Sequence, residues 1–204
     1  MTRKAVSIYM AMTCATAIVV PGRFAIGIIF AFEALFIYFF CTLFRCLLNI
    51  LKMKQVVSVL MCVFIVSMTI IFKQLLILFM PQTAMQLSFV LYLPAISSFS
   101  TAFLFEDEKF SFVDDIKNTI SPAVVFSIYM IITTLFRDIF GYGTLTFPAP
   151  RKMIEIVLFP ENYVFAGSFI ATIPGALIFS AVLLCFFLGV ENKFHILSRA
   201  GVQK

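Results

Sequence analysis

Charge is what this sequence has least of. Of 204 residues, 15 are Lys or Arg and 10 are Asp or Glu, 12% in all, while 62% are hydrophobic. Soluble domains hold about 25% charged and 45–50% apolar residues, so a mean hydropathy of +1.09 excludes a water-soluble globular domain. Recognisable catalytic signatures are missing too: the sequence has no Walker A, G-x-G-x-x-G, H-E-x-x-H or G-x-S-x-G motif. Cysteine gives no disulfide framework. Cys14, Cys41, Cys46, Cys62 and Cys185 are odd in number, sit in apolar stretches and form no C-x-x-C pair. The one histidine, His195, lies in the basic tail and reads as a solvated surface residue. These absences exclude disorder, nucleic-acid binding, a secreted disulfide scaffold and a separate soluble catalytic domain.

What the chain has is long apolar runs. At roughly 20 apolar residues per crossing, its length allows about six crossings with short loops. The expected class is therefore all-α, a polytopic integral membrane protein embedded in a lipid bilayer. Six spans are bounded by charge and proline: Ala5–Val20, Phe24–Phe44, Gln55–Met80, Met85–Phe105, Ile120–Phe136 and Asn162–Val190. Met1-Thr-Arg-Lys leads straight into the first run, as a transmembrane segment would, with no cleavable signal peptide needed. The first span is short. The fourth is interrupted at Pro94 and followed by Ser97, Ser98, Ser100 and Thr101.

Lys and Arg set the orientation. Arg3, Lys4, Arg45, Lys52, Lys54, Lys109, Lys117, Lys193, Arg199 and Lys204 fall on the side of the termini. Only Arg23, Lys73, Arg137, Arg151 and Lys152 fall on the other. The positive-inside rule then places both termini in the cytoplasm. The six spans divide into three plus three, residues 1–80 and 81–204, within a single membrane domain. Three spans per unit invert the second unit relative to the first, and the interrupted first and fourth spans fall at matching positions. That pattern points to an inverted repeat with a site near the midplane, because broken backbone is tolerated only where it faces protein or a polar site.

Single residues add to this. Glu33 lies near the middle of the second span, where a charge costs about 2.5–3.5 kcal/mol on insertion scales unless protonation removes it. It reads as a cation or proton relay, or as a structural carboxyl bonded to a neighbouring helix or subunit. Lys73 is near enough to a span end to snorkel. Cys41 and Cys46 are five apart, which is not a same-face spacing on a helix. With Cys62 and Cys185 they read as packing or lipid-facing residues. Arg137 is placed to cap the carbonyls ending its own helix, and Gly141 and Gly143 permit a tight turn after it.

Leu135-Phe-Arg-Asp-Ile-Phe-Gly-Tyr-Gly-Thr-Leu145 is the most distinctive stretch. It resembles the Arg-Glu-Ile/Phe-x-Gly-x-Gly-Thr-Leu signature that follows the fifth helix in the Rnf/Nqr family. Its members are integral membrane components of the Rnf electron-transport complex and of the sodium-pumping quinone reductase. Ile173-Pro-Gly-Ala-Leu177 is similar to that family's sixth-helix Pro-Pro-Gly-Ala-Phe, and Leu93-Pro-Ala-Ile96 to its fourth-helix Ile-Pro-Leu-Ile. The resemblance covers nearly the whole length, with its strong motifs in the last third.

The resemblance implies a membrane component of an ion-translocating oxidoreductase complex that carries electrons across the membrane, coupled to Na+ or H+ movement. Implied partners are a pseudo-symmetric sister subunit and flavin-bearing and iron–sulfur subunits; no flavin is implied on this chain. In the family, cysteines of half-helices one and four, from two sister subunits, hold one [2Fe–2S] cluster. Cys14 matches the first position, thirteen residues before Gly27, and the second falls on Ser100, six after Pro94. Cys14 and Ser100 are thus the implied cofactor positions, Cys14 the metal ligand, in a divergent form whose cluster is lost or altered. The rival reading is a small-molecule transporter or substrate-binding membrane subunit, which the serine-rich stretch Ser97–Thr101 suits.

Overall fold

The computed structural model describes residues 16–51, 56–96, 112–150, 153–159, 168–183, 185–186 and 189. After one helical turn at residues 16–19, a bend at Val20–Arg23 leads into α1, Phe24–Ile50. Then come α2, Val57–Phe79; α3, Pro81–Gln86; a 3-10 turn, Val90–Tyr92; and α4, Phe112–Arg137. A π turn, Asp138–Tyr142, ends α4, and the strands β1, Thr144–Phe147, and β2, Ile154–Val157, form an antiparallel hairpin. The short helix α5, Ser168–Ala171, precedes the apolar helix α6, Ile173–Leu183.

The protein is mostly helical, and three of its helical stretches are long and apolar enough to cross a membrane: Phe24–Leu48, Val57–Phe79 and Ala123–Tyr142. They coincide with the second, third and fifth expected spans. Their outer faces carry large apolar side chains in the open, among them Phe39, Val59, Val63 and Leu78. Only an apolar medium accommodates that much exposed hydrocarbon, so the protein is membrane-embedded.

Two boundaries differ from expectation. The second span does not close at Arg45: α1 runs on to Ile50, since Cys46-Leu-Leu continues the apolar pattern and an arginine near a span end can reach the interface along its stem. The helix of the fifth span begins earlier than its apolar part: α4 starts at Phe112 and carries Pro122 inside it, while the apolar span, Ala123–Tyr142, opens just after Ser121-Pro122. The third stops where expected. Pro81 disfavours helical geometry at Met80 (φ −141°, ψ 69°) and itself starts α3.

The fourth expected span is not a continuous helix in its described part: the end of α3, a turn, the 3-10 turn and one helical turn at 93–96 take its place. The sixth is broken at Thr172. Its hydroxyl accepts from the Gly175 N–H at 3.4 Å, as an N-cap does, with Pro174 in the first turn of α6. A Cβ at Gly175 would overlap the Phe169 carbonyl, so the restart requires glycine there.

The central element is α1, 61% buried across its span against 22% for α2. Against α4 it packs closely enough that a Cβ on Gly27 would overlap the Thr134 side chain. Phe30, Ala34, Phe72, Leu76, Phe126, Tyr129 and Met130 form the larger core. A second cluster joins α1 and α2 through Ile37, Cys41, Leu48, Met61 and Ile65, with Phe44 stacked on Phe64 at 4.0 Å.

Candidate functional site

Two polar places interrupt this apolar packing, one inside the spans and one at their end. The first is Glu33. Its side chain is wholly buried, and neither carboxyl oxygen has a hydrogen-bond partner among the described residues. Glu33 lies ten residues into α1, close to the level at which the Ser127 hydroxyl donates to the Ala31 carbonyl at 3.2 Å across the α1–α4 interface. The Tyr129 hydroxyl donates across to the Ser180 carbonyl at 3.4 Å, and three buried threonine hydroxyls of these helices are turned to their own backbones. Thr69 donates to the Ile65 carbonyl, Thr133 to that of Tyr129, and Thr134 to that of Met130. Each keeps its oxygen lone pairs but offers no proton to Glu33. An ionised carboxyl in such surroundings requires a cation, and without one it is held neutral.

The second place is built by Arg137 and Asp138, neighbours in sequence that point to two different segments. Arg137 Nη1 donates to the Ala17 and Val20 carbonyls at 3.1 and 2.8 Å, and Nη2 to that of Ala171 at 3.4 Å. It therefore caps not its own helix, as the sequence suggested, but the helical turn at 16–19. Its Nε is buried and has no partner among the described residues. Gly22 lets the bend close over it, since a Cβ there would sit 2.8 Å from the Arg137 Cβ.

Asp138 serves the helix that follows that bend. Its Oδ2 accepts from the Phe24 N–H at 3.1 Å and from the Thr146 N–H and hydroxyl, both at 2.7 Å. The Ala25 N–H donates in turn to Thr146 Oγ1 at 3.1 Å. Two of the orphan N–H groups that begin α1 are thus satisfied from more than a hundred residues away. A carboxylate at a helix N-terminus and a guanidinium at a helix C-terminus both agree with the helix dipoles. Arg23 completes the cluster: it donates to Thr144 Oγ1 at 3.2 Å, approaches Asp138 at 4.0 Å and Glu155 at 3.4 Å, and lies over the Tyr142 ring at 4.3 Å. Gly143, at φ 65°, makes the left-handed turn that brings β1 back to Asp138. Gly141 lets α5 approach, its site for a Cβ lying 3.0 Å from the Ala171 nitrogen.

Of the expected site residues, Glu33 is therefore placed, and Cys14 and Ser100 lie outside the described residues. The Arg137–Asp138 clamp is a polar site whose partners could not be read from the sequence, which offered only the unusual density of charge and glycine after a span. Lys73 donates to Ser88 Oγ at 3.2 Å and reaches toward the Tyr92 ring, tying α2 to the segment after α3. Cys41 packs in the second core, Cys46 and Cys62 are half-buried, and Cys185 is exposed; all four are free thiols. No group of three or more His, Cys, Asp or Glu side chains suited to a metal ion occurs among the described residues. Compared with known proteins, the chain matches no family model and no curated protein.

Proposed function

We propose that this chain is a membrane component of an ion-translocating oxidoreductase of the Rnf/Nqr kind, and that Glu33 carries the coupling cation or proton. On this reading it spans a bacterial inner membrane six times as a 3+3 inverted repeat, with both termini cytoplasmic. It pairs there with a pseudo-symmetric sister subunit and with flavin-bearing and iron–sulfur subunits. The observation that supports it best is the Glu33 carboxyl, buried mid-span with both oxygens unpartnered among the described residues. Intramembrane carboxyls of this kind mark ion and proton pathways. A carboxyl that served only to join this chain's own helices would hold a hydrogen bond to one of them.

The [2Fe–2S] cluster implied by the resemblance requires four thiolates, two from each sister subunit. This chain brings the thiol of Cys14 and the hydroxyl of Ser100 to those positions. A serine hydroxyl is a harder and much less acidic donor than a thiolate, so the donor set does not fit a four-thiolate cluster. The role assigned to the chain is accordingly ion path and scaffold, with electrons passing through its partners.

The test is to purify the tagged chain with its companions from native membranes and reconstitute the assembly in vesicles. Redox-driven cation or proton uptake is measured for wild type and Glu33→Gln, and iron, acid-labile sulfide and low-temperature EPR for wild type and Cys14→Ser. Redox subunits should copurify, E33Q should abolish uptake, and the EPR signals should be unchanged by C14S. A signal lost in C14S would put electrons through this chain, and unchanged uptake in E33Q would make Glu33 structural. The absence of any redox companion would favour a small-molecule transporter.

A further inference from the structure

The hairpin after α4 is amphipathic the wrong way round for water. In the observed register Thr144 pairs with Val157, Leu145 with Ile156, Thr146 with Glu155 and Phe147 with Ile154. Because strand residues alternate between faces, Thr144, Thr146 and Glu155 share the face turned to Asp138 and Arg23, with Val157, 68% exposed, at its edge opposite Thr144. Leu145, Phe147, Ile154 and Ile156 share the other. That apolar face is open: Phe147 is 38% exposed, Ile154 54% and Ile156 46%, and Leu158 and Phe159 extend it, both N–H groups donating to the Gly143 carbonyl. A hairpin in water buries its apolar face and solvates its polar one.

The position of the hairpin explains the inversion. One residue, Gly143, separates β1 from the end of the α4 span. On its other side β1 touches the first residues of the α1 span, Phe147 meeting Phe24 edge-on at 5.7 Å and Thr146 accepting from the Ala25 N–H. The sheet is therefore continuous with two membrane-spanning helices at the plane where both reach the membrane boundary. We propose that the Thr144–Val157 hairpin lies in the lipid interface, its Leu145–Phe147–Ile154–Ile156 face in the outer acyl region and its polar face closing the Arg23–Asp138 cluster from above. The occupant of the open face is lipid rather than another protein, and the inference does not depend on the redox reading.

The chain has no tryptophan, so one introduced indole reports alone. Ile156→Trp, at an exposed site of the apolar face, and Phe39→Trp, on the exposed outer face of α1, would be made in the full chain. Each would be reconstituted in phosphatidylcholine vesicles with bromine placed either near the headgroup end or near the terminus of the acyl chains. The expected result is blue-shifted emission for I156W, lost more strongly to shallow bromine, while F39W is lost more strongly to deep bromine. Quenching of I156W by aqueous iodide without quenching by bromolipid would overturn the proposal in favour of water. Blue-shifted I156W emission that neither quencher reaches would overturn it in favour of protein cover. If F39W too escaped bromolipid, membrane embedding itself would fail, which keeps the two failures apart.

Discussion

Asp138 is a single carboxylate on which four donors converge, so its loss should be disproportionate. Asp138→Ala leaves the Phe24 and Thr146 N–H groups and the Thr144 and Thr146 hydroxyls without their acceptor. At about 1–3 kcal/mol for each buried group left unsatisfied, D138A should lower the unfolding midpoint in detergent sharply. Asp138→Asn keeps an acceptor oxygen and should cost far less. Equal effects of the two would mean that charge, not acceptance, matters there. Arg137→Met frees the Ala17 and Val20 carbonyls and should destabilise by roughly 2–4 kcal/mol, measured in the same unfolding experiment. Glu33 was legible from sequence, because a lone carboxylate in a long apolar run is conspicuous whatever the fold. The targets of Arg137 were not. Two of its acceptors lie 117 and 120 residues earlier and the third 34 later, and nothing local distinguishes a guanidinium that caps its own helix from one that caps another.

Among elements, the contact between α1 and α4 depends on the absence of a side chain at Gly27. A Cβ there meets the Thr134 hydroxyl and methyl, so Gly27→Ala should push the helices apart and cost about 1–3 kcal/mol, as overpacking does. Removing the obstacle should restore part of it: G27A with Thr134→Ala is expected to be more stable than G27A alone, with a coupling above about 0.5 kcal/mol in a double-mutant cycle. Additive effects would place the clash elsewhere. The three long helices were visible as hydrophobic runs, because a membrane span is defined by length and apolarity alone. Their ends were less so. Arg45 and Pro122 look like terminators, yet both lie inside helices: apolar sequence continues past Arg45, and α4 carries a polar stretch, Asp114–Ser121, ahead of Pro122. The hairpin leaves no comparable mark in the sequence. Its strands are four residues each, too short for alternation to stand out beside runs of twenty.

For the whole molecule, the excess of Lys and Arg on one set of loops predicts a definite orientation. A green fluorescent protein fused after Lys204 should fluoresce in intact cells, and an alkaline phosphatase fused at the same point should stay inactive. The reverse result would invert the topology and place the Arg23–Asp138 cluster on the cytoplasmic side. An inverted repeat is a matter of how segments relate in space, and hydropathy alone carries too little of that relation to specify one.

The clamp has a consequence for the order in which the molecule is made. The turn at 16–19 and the start of α1 leave the ribosome well before the groups that seal them, Arg137 and Asp138, with sequence separations of 114 to 120 residues. Until the end of α4 has been synthesised, the carbonyls of Ala17 and Val20 and the N–H of Phe24 must find other partners, in water at the boundary or in the insertion machinery. Backbone groups cannot wait bare in hydrocarbon. The bend before α1 is thus made before it is finished, and its completion is set by the arrival of two adjacent residues near position 138.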